Sequence, residues 1–200
     1  KLFVLNGNIT PATNTIYTKL VSSVDGANWE NVSLPAEFPR GIYHTIQEYK
    51  GKVYIIGYVS WDIANQKFEA KEEIWSSANG VNWVKEAYPS GMTSVFKNAA
   101  VYKDKLMVWG GADINGSANS IDAMLYSESG SLINPDYTLW SFDGVQWVQN
   151  ADISSNMANR FSTAVEYSDR FQVFGGEVAN GSRTEKFWSL SEENVWYNFP

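Results

Sequence analysis

Four runs along the chain alternate β-branched or aromatic residues with other types and reach a glycine: KLFVLNG (1–7), KVYIIGY (52–58), KLMVWGG (105–111) and RFQVFGG (170–176). A period of two puts successive side chains on opposite faces, so each run predicts a strand. The glycine marks where that strand must bend or end. Three of the runs follow a second alternating segment that ends in tyrosine: YHTIQEY (43–49), FKNAAVY (96–102) and FSTAVEY (161–167). In all three the tyrosine stands eight residues before the glycine. Only KGK, KDK or SDR separates the two segments, which predicts a tight hairpin. Downstream come YTKLVSS, EEIWSS, YTLWSF and EKFWSL, then an Asp-Gly or Asn-Gly pair in three of the four units, then a tryptophan at 29, 83, 147 or 196. Asp-Gly and Asn-Gly are strong hairpin signals because the glycine takes a positive φ without strain.

Each unit therefore reads as four strands, a to d, with the tyrosine closing a, the glycine closing b, and d starting at the tryptophan. The units run 1–34, 35–88, 89–152 and 153–200, and the tryptophans are spaced by 54, 64 and 49 residues. Four-stranded units near this period predict an all-β fold, a β-propeller of antiparallel blades. The chain then forms one such domain or part of one. Unit 1 has no strand a, so it is expected to lack its innermost strand, and the expected total is fifteen strands.

The glycine pairs at 110–111 and 175–176, the tyrosine eight residues upstream and the tryptophan downstream resemble the Kelch and galactose-oxidase central-domain superfamily. The S-x-D-G-x-x-W form of the turns is similar to that of exported bacterial propellers. The resemblance implies a Kelch-type propeller. Unit 2 departs from the family in having the single Gly57. Such rings usually close with six or seven blades, so further blades before Lys1, or an irregular closure, are expected. A sialidase-type Asp box would need one more residue between Asp25 and Gly26, and its three convergent arginines would have to come from Arg40, Arg160, Arg170 and Arg183.

Composition narrows the chemistry. There are 22 acidic and 15 basic side chains, a net charge of −7, and no basic stripe, so nucleic acid is not an expected partner. Aromatic residues make up 15% of the chain, with nine Trp and eleven Tyr, which suits strands and contact surfaces. The absence of cysteine removes disulfides, thiolate catalysis and cysteine-ligated zinc. With one histidine and no cysteine, the copper chemistry of galactose oxidase is excluded even though the fold is similar. DINGS (113–117) is a fragment of a calcium loop without the closing glutamate. No cofactor and no metal are expected. No apolar run is long enough to span a bilayer, and no signal peptide opens the chain, which is expected to start at a processed or incomplete terminus.

Repeat scaffolds place function where insertions collect. The a–b and c–d turns are short, whereas the b–c connections 8–16, 58–72, 112–136 and 177–185 are long and unlike one another. A ligand site is therefore expected on the face formed by the b–c and d–a connections. Its candidates are Arg40 and Arg160, just before strand a; Trp61 and Asp62 in unit 2; Asp113 and Asn115 in unit 3; and Glu177 and Arg183 in unit 4. Arginine forks suit carboxylates, and a tryptophan face suits a sugar or a cation. Each candidate also has a purely structural use, as a tie between blades or a plug over the core. Trp75, Trp140 and Trp188 share one strand-c position and are read as packing. His44 aligns with Lys97 and Ser162, a polar position facing the channel or solvent.

No catalytic residue is singled out, and no nucleophile elbow of G-x-S-x-G form is present. The sequence favours a non-catalytic propeller that binds a protein or carbohydrate through its long connections, outside the cell, in the periplasm or at the cell surface. Two alternatives stay open: a hydrolase or lyase acting on a glycan through Asp62, Asp113 or Glu177, and a structural part of a larger surface assembly. Oligomeric state is left open by the sequence.

Overall fold

The computed structural model describes residues 1–93, 95–112, 117–118, 120, 123, 134–150, 152–153, 157, 160–178, 180–191 and 195–199. Its strands form four antiparallel sheets arranged as propeller blades. Blade 1 holds β1 (Leu2–Thr10), β2 (Thr15–Ser23) and β3 (Glu30–Val32), and has no inner strand. Blade 2 holds β4 (Thr45–Tyr49), β5 (Lys52–Asp62), β6 (Lys67–Ser77) and β7 (Val84–Glu86). Blade 3 holds β8 (Asn98–Tyr102) and β9 (Lys105–Trp109). A short β10 (Ser117–Ala118) then leaves to pair with β6, before β11 (Leu139–Phe142) and β12 (Trp147–Gln149) complete the blade. Blade 4 holds β13 (Thr163–Tyr167), β14 (Arg170–Phe174), β15 (Phe187–Leu190) and β16 (Trp196–Phe199). The fifteen expected strands are all present, and β10 is an addition from the 112–136 connection.

The constant tyrosine-to-glycine spacing is the length of a hairpin. Two residues with positive φ join strand a to strand b in each case: Lys50–Gly51, Lys103–Asp104 and Ser168–Asp169. Consecutive left-handed residues make a turn whose twist matches that of the strands. At the far end of blade 2, the β5–β6 register breaks between Ile56 and Tyr58, at Gly57.

The c–d turns are larger than two-residue hairpins. In blade 2, Ser77 Oγ accepts from the Gly80 amide at 2.8 Å, and Asn79 Oδ1 accepts from the amides of Val81 and Asn82 at 2.9 Å. Ser23 and Asp25 do the same work in blade 1. Short polar side chains thus satisfy backbone donors that no strand reaches. Gly80 has φ +74°, and a Cβ there would overlap the Phe3 ring. The tryptophan that follows donates its indole N–H back to the turn, Trp83 Nε1 to the Gly80 carbonyl at 3.1 Å.

Packing between blades repeats. Each blade turns one face, its leading face, onto the trailing face of the next. From blade 2, Tyr49, Tyr54, Ile56 and Ile74 meet Leu106, Val108 and Trp140 of blade 3. From blade 3, Tyr102, Met107, Trp109 and Leu139 meet Phe171, Val173, Trp188 and Leu190 of blade 4. The recurring strand-c tryptophans lie on trailing faces, opposite Ile55, Val108 and Val173 in register. A hydrogen bond repeats with them. Tyr49 Oη donates to the Asp104 carbonyl at 2.6 Å, and Tyr102 Oη donates to the Asp169 carbonyl at 2.8 Å. Each closing tyrosine thereby ties its blade to the a–b turn of the next.

Two connections differ from expectation. Residues 8–16 and 58–72 are not irregular loops, because β1–β2 and β5–β6 continue as two-stranded ribbons that turn at 11–14 and 63–66. The alternation simply runs on past the glycine, as in YVSWD. Unit 1 is also offset by one residue from the glycine alignment. Leu2 pairs with Ser23 as Val53 pairs with Ser77, so Val4, rather than Leu5, matches Ile55. The cause is that β1 runs unbroken to Thr10, with no register break at Gly7.

Candidate functional site

The connection face is built from the residues that lead into strand a. In each complete blade that step is made by an aromatic residue with positive φ: Tyr43 (φ 57°), Phe96 (φ 62°) and Phe161 (φ 57°). Bulky side chains rarely adopt this conformation, and three at one repeat position show that the fold imposes it. The residue before each one bridges to the residue two past the strand-b glycine: Ile42 to Val59, Val95 to Ala112 and Arg160 to Glu177. Val59, Val95 and Ala112 are fully buried, and this apolar pairing is the rule in blades 2 and 3.

Blade 4 replaces it with an ion pair. Arg160 Nη2 lies 2.7 Å from Glu177 Oε1, with the arginine fully buried. Its guanidinium stands 4.8 Å from the Phe161 ring centroid and 5.7 Å from that of Phe96. The aromatic faces offer negative potential to a cation that has been taken out of water. Tyr43 and Phe96 are themselves in ring contact at 5.0 Å, so an aromatic chain runs across the blades to Arg160.

A second buried pair, missed in the sequence, joins Lys97 to Asp136 at 2.9 Å. Lys97 Nζ also donates to the Gly110 carbonyl at 3.2 Å, and Asp136 Oδ1 accepts from the Thr138 amide at 2.7 Å. Burial alone would raise the Asp136 pKa. The Lys97 charge and the hydrogen bonds from Lys97 and Thr138 outweigh it and hold the carboxyl below its ordinary value. The available signal was a lysine within FKNAAVY, at the position of His44 and Ser162. His44 itself donates from Nε2 to the Pro39 carbonyl at 2.8 Å and stacks on Tyr58, centroids 5.3 Å apart. Burial lowers its pKa, and the Pro39 hydrogen bond opposes that only in part.

The two ribbons pack on each other. Ile9 and Ile16 of the first lie against Trp61, Phe68 and Ala70 of the second. Trp61 meets Phe68 edge to face at 4.8 Å and donates its indole N–H to Asn14 Oδ1 at 3.3 Å. At their base Gly7 approaches Gly41 so closely that a Cβ on Gly7 would overlap the Gly41 carbonyl oxygen. Asp62 closes the second ribbon. It accepts from the amides of Ala64 and Asn65 at 2.9 and 3.2 Å, and from Asn65 Nδ2 at 2.6 Å. The Asn65 side chain, with these amides, lowers the Asp62 pKa, so the group is a carboxylate throughout the neutral range.

The candidates therefore fall in three places. Arg160, Glu177 and Arg183 come together in blade 4, where the Glu177 backbone bridges both arginines and Arg183 is exposed. Trp61 and Asp62 belong to the blade 2 ribbon, Trp61 buried and Asp62 partly exposed. Arg40 is partly buried and donates to the Pro35 carbonyl at 3.3 Å, within its own connection. Asp113 and Asn115 lie outside the described residues, as does most of the 113–117 calcium-like stretch. Among the described residues no group of three His, Asp or Glu is placed to hold a metal ion, and no helix is long and apolar enough to cross a membrane.

On the opposite, turn side, a cleft of about 230 Å³ opens between blades 3 and 4, lined by Lys105, Met107 and Leu139 among others. A cleft of about 190 Å³ lined by Lys52, Tyr54 and Ile74 occupies the same place between blades 2 and 3. These are equivalent repeat positions, so such clefts are a product of blade packing.

No protein-family model matches the chain, and no curated protein sequence matches it. Among solved structures it is similar to one described as the structure of YjhT, with a TM-score of 0.67 at 16% sequence identity. The match covers 92% of this chain and 58% of that one, so the chain spans less than two thirds of its neighbour's length. Identity this low speaks to the fold alone: the chain is an all-β protein with four propeller-like blades, the first of three strands.

Proposed function

We propose that this propeller is a non-catalytic binding module that recognises a protein or glycan through the face carrying its ribbons and its connections into strand a. The observation that carries the reading is the ribbon pair. Trp61, Phe68, Ile9 and Ile16 form a small core, and the Trp61–Asn14 hydrogen bond joins the two ribbons. Connections that could have been mobile are thereby preorganised, which lowers the ordering cost of recognition. The ionisable groups nearby serve structure: Asp62 closes a turn and Glu177 holds Arg160. Arg183, Tyr43 and Phe161 are left exposed as contact groups; an arginine fork suits a carboxylate and an aromatic face suits a sugar ring, as an acidic sugar or an acidic peptide would offer in part or whole. The glycine pairs and turn tryptophans support a Kelch-type assignment, and the likeness to exported bacterial propellers supports a location in the periplasm, at the cell surface or outside the cell.

The test is a glycan array together with capture from a surface fraction, using the wild type, Arg183→Ala and Tyr43→Ala. Binding of an acidic glycan or acidic protein that weakens about tenfold or more in either variant is expected, a loss of about 1.4 kcal/mol. Two blank screens contradict the proposal. So does cleavage of a glycan that disappears in Glu177→Gln.

A further inference from the structure

The two clefts on the turn side share their place because blades pack alike, but their linings differ at one repeat position. Between blades 2 and 3, two groups converge on a single carboxylate. Ser76 Oγ donates to Glu86 Oε1 at 2.5 Å, and Lys52 Nζ lies 4.0 Å from the same oxygen. Both groups recur between blades 3 and 4. Ser141 pairs with Met107 in register as Ser76 pairs with Tyr54, and Lys105 opens β9 as Lys52 opens β5. The carboxylate does not recur. Glu86 pairs with Ile74, whereas Asn150 donates its backbone N–H to the carbonyl of Leu139, the counterpart of Ile74. An amide side chain thus stands where blade 2 has an acid.

Asn150 does not do the work of Glu86. Its Nδ2 donates to Ser141 Oγ at 3.1 Å and to the Val148 carbonyl at 3.2 Å, which uses both amide hydrogens. Ser141 Oγ is the acceptor of the first bond and keeps its own proton to donate. Ser141 is 3% exposed and lines the cleft, as does the exposed Lys105. Lys103 adds a second ammonium to the lining. Among the described residues no acidic side chain lines this cleft. The apolar part changes too. The rings of Tyr54 and Phe142, 5.9 Å apart between blades 2 and 3, give way to Met107 and Leu190.

We propose that the cleft between blades 3 and 4 is a binding site for a small aliphatic carboxylate. The ligand's carboxylate takes the place that the Glu86 carboxylate fills one blade earlier, accepting from Ser141 Oγ and pairing with Lys105. Hydrogen bonds to an ionised acceptor are the stronger kind. The chain of the ligand lies on Met107, Leu139 and Leu190, all buried. At about 230 Å³ the cleft is smaller than the range of about 300–1,000 Å³ usual for drug-sized ligands, which limits that chain to a few carbons. The site lies on the face opposite the ribbons and is independent of the recognition proposed above.

Titration of hexanoate into isotope-labelled protein, followed through the backbone amide NMR signals, tests this, with hexanamide as the neutral control. Saturable shifts at Lys105, Met107, Ser141 and Leu190 are expected, with binding weaker by about tenfold or more for hexanamide. Asn150→Glu, which copies blade 2, should fill the site from within and weaken hexanoate by about tenfold or more, and Lys105→Gln should do likewise. Lys105 is exposed, so its variant decides the matter even if Asn150→Glu fails to fold. A wild type without saturable shifts overturns the proposal, as do shifts confined to other residues. Equal binding of hexanamide also overturns it, since the carboxylate is then not what is recognised. Undiminished binding to Lys105→Gln, or to a folded Asn150→Glu, does the same.

Discussion

At the scale of single residues, the most telling side chains are those held in unusual states at repeated positions. Tyr43, Phe96 and Phe161 take a left-handed backbone that aromatic residues seldom adopt, each just before an innermost strand. His44 follows Tyr43 and is kept neutral by burial. The unfolded chain binds its proton near the ordinary value of 6.5, and the folded chain only at lower pH. Acid therefore favours unfolding in the interval between the two. The stability that depends on His44 is complete above about pH 6.5 and declines as pH falls below it, by at most about 1.4 kcal/mol per pH unit. Urea denaturation between pH 7 and 5.5 should show this slope in the wild type and lose it in His44→Gln. An unchanged slope in the variant would move the effect to the carboxylates. The sequence marked His44 as the sole histidine at a polar position, but the stacking on Tyr58 depends on the β5 ribbon continuing past Gly57, which had no local signal.

At the scale of elements, the strands were legible and their extensions were not. Tyrosine, turn and glycine at fixed offsets defined three hairpins in the sequence, and all three are present with their turns where expected. The ribbons escaped notice because glycine was read as the end of a strand. Gly57 instead interrupts the register, and the pairing resumes at Tyr58. The blade 4 bridge was half legible. Arg160 and Glu177 were both candidates, yet their pairing needed the register of two separate connections.

That pair invites an exchange within the repeat. Arg160→Val alone or Glu177→Ala alone breaks this buried ion pair and should cost about 3–5 kcal/mol. The double change installs the blade 3 pair, Val95 and Ala112, and should return stability to within about 1 kcal/mol of the wild type or above it. Denaturant midpoints with unchanged m-values would report it. Single changes that cost nothing would mean that the pair is not closed in solution.

At the scale of the whole molecule, the chain is an arc of blades joined by one contact made repeatedly. The sequence showed the repeat and the fold class, because packing a blade demands the same apolar positions each time. It did not show which candidate side chains meet. Trp61 became core, Asp62 closed a turn and Arg40 stayed within its own connection, since long connections carry no period from which register can be read. What the repeat does specify is the tyrosine that ends strand a, and this gives the most direct test. The stabilities of Tyr49→Phe, Tyr102→Phe and Tyr167→Phe should be measured by urea denaturation under one condition. Removing the hydroxyl from Tyr49 or Tyr102 deletes a hydrogen bond to the next blade and should cost about 1 kcal/mol each. Tyr167 is 67% exposed, and among the described residues no hydrogen bond of its hydroxyl is seen, so Tyr167→Phe should change the stability of this chain by no more than a few tenths of a kcal/mol. Three equal losses, or none at Tyr49 and Tyr102, would contradict a fold held together by the hydrogen bond that Tyr49 and Tyr102 each make to the next blade.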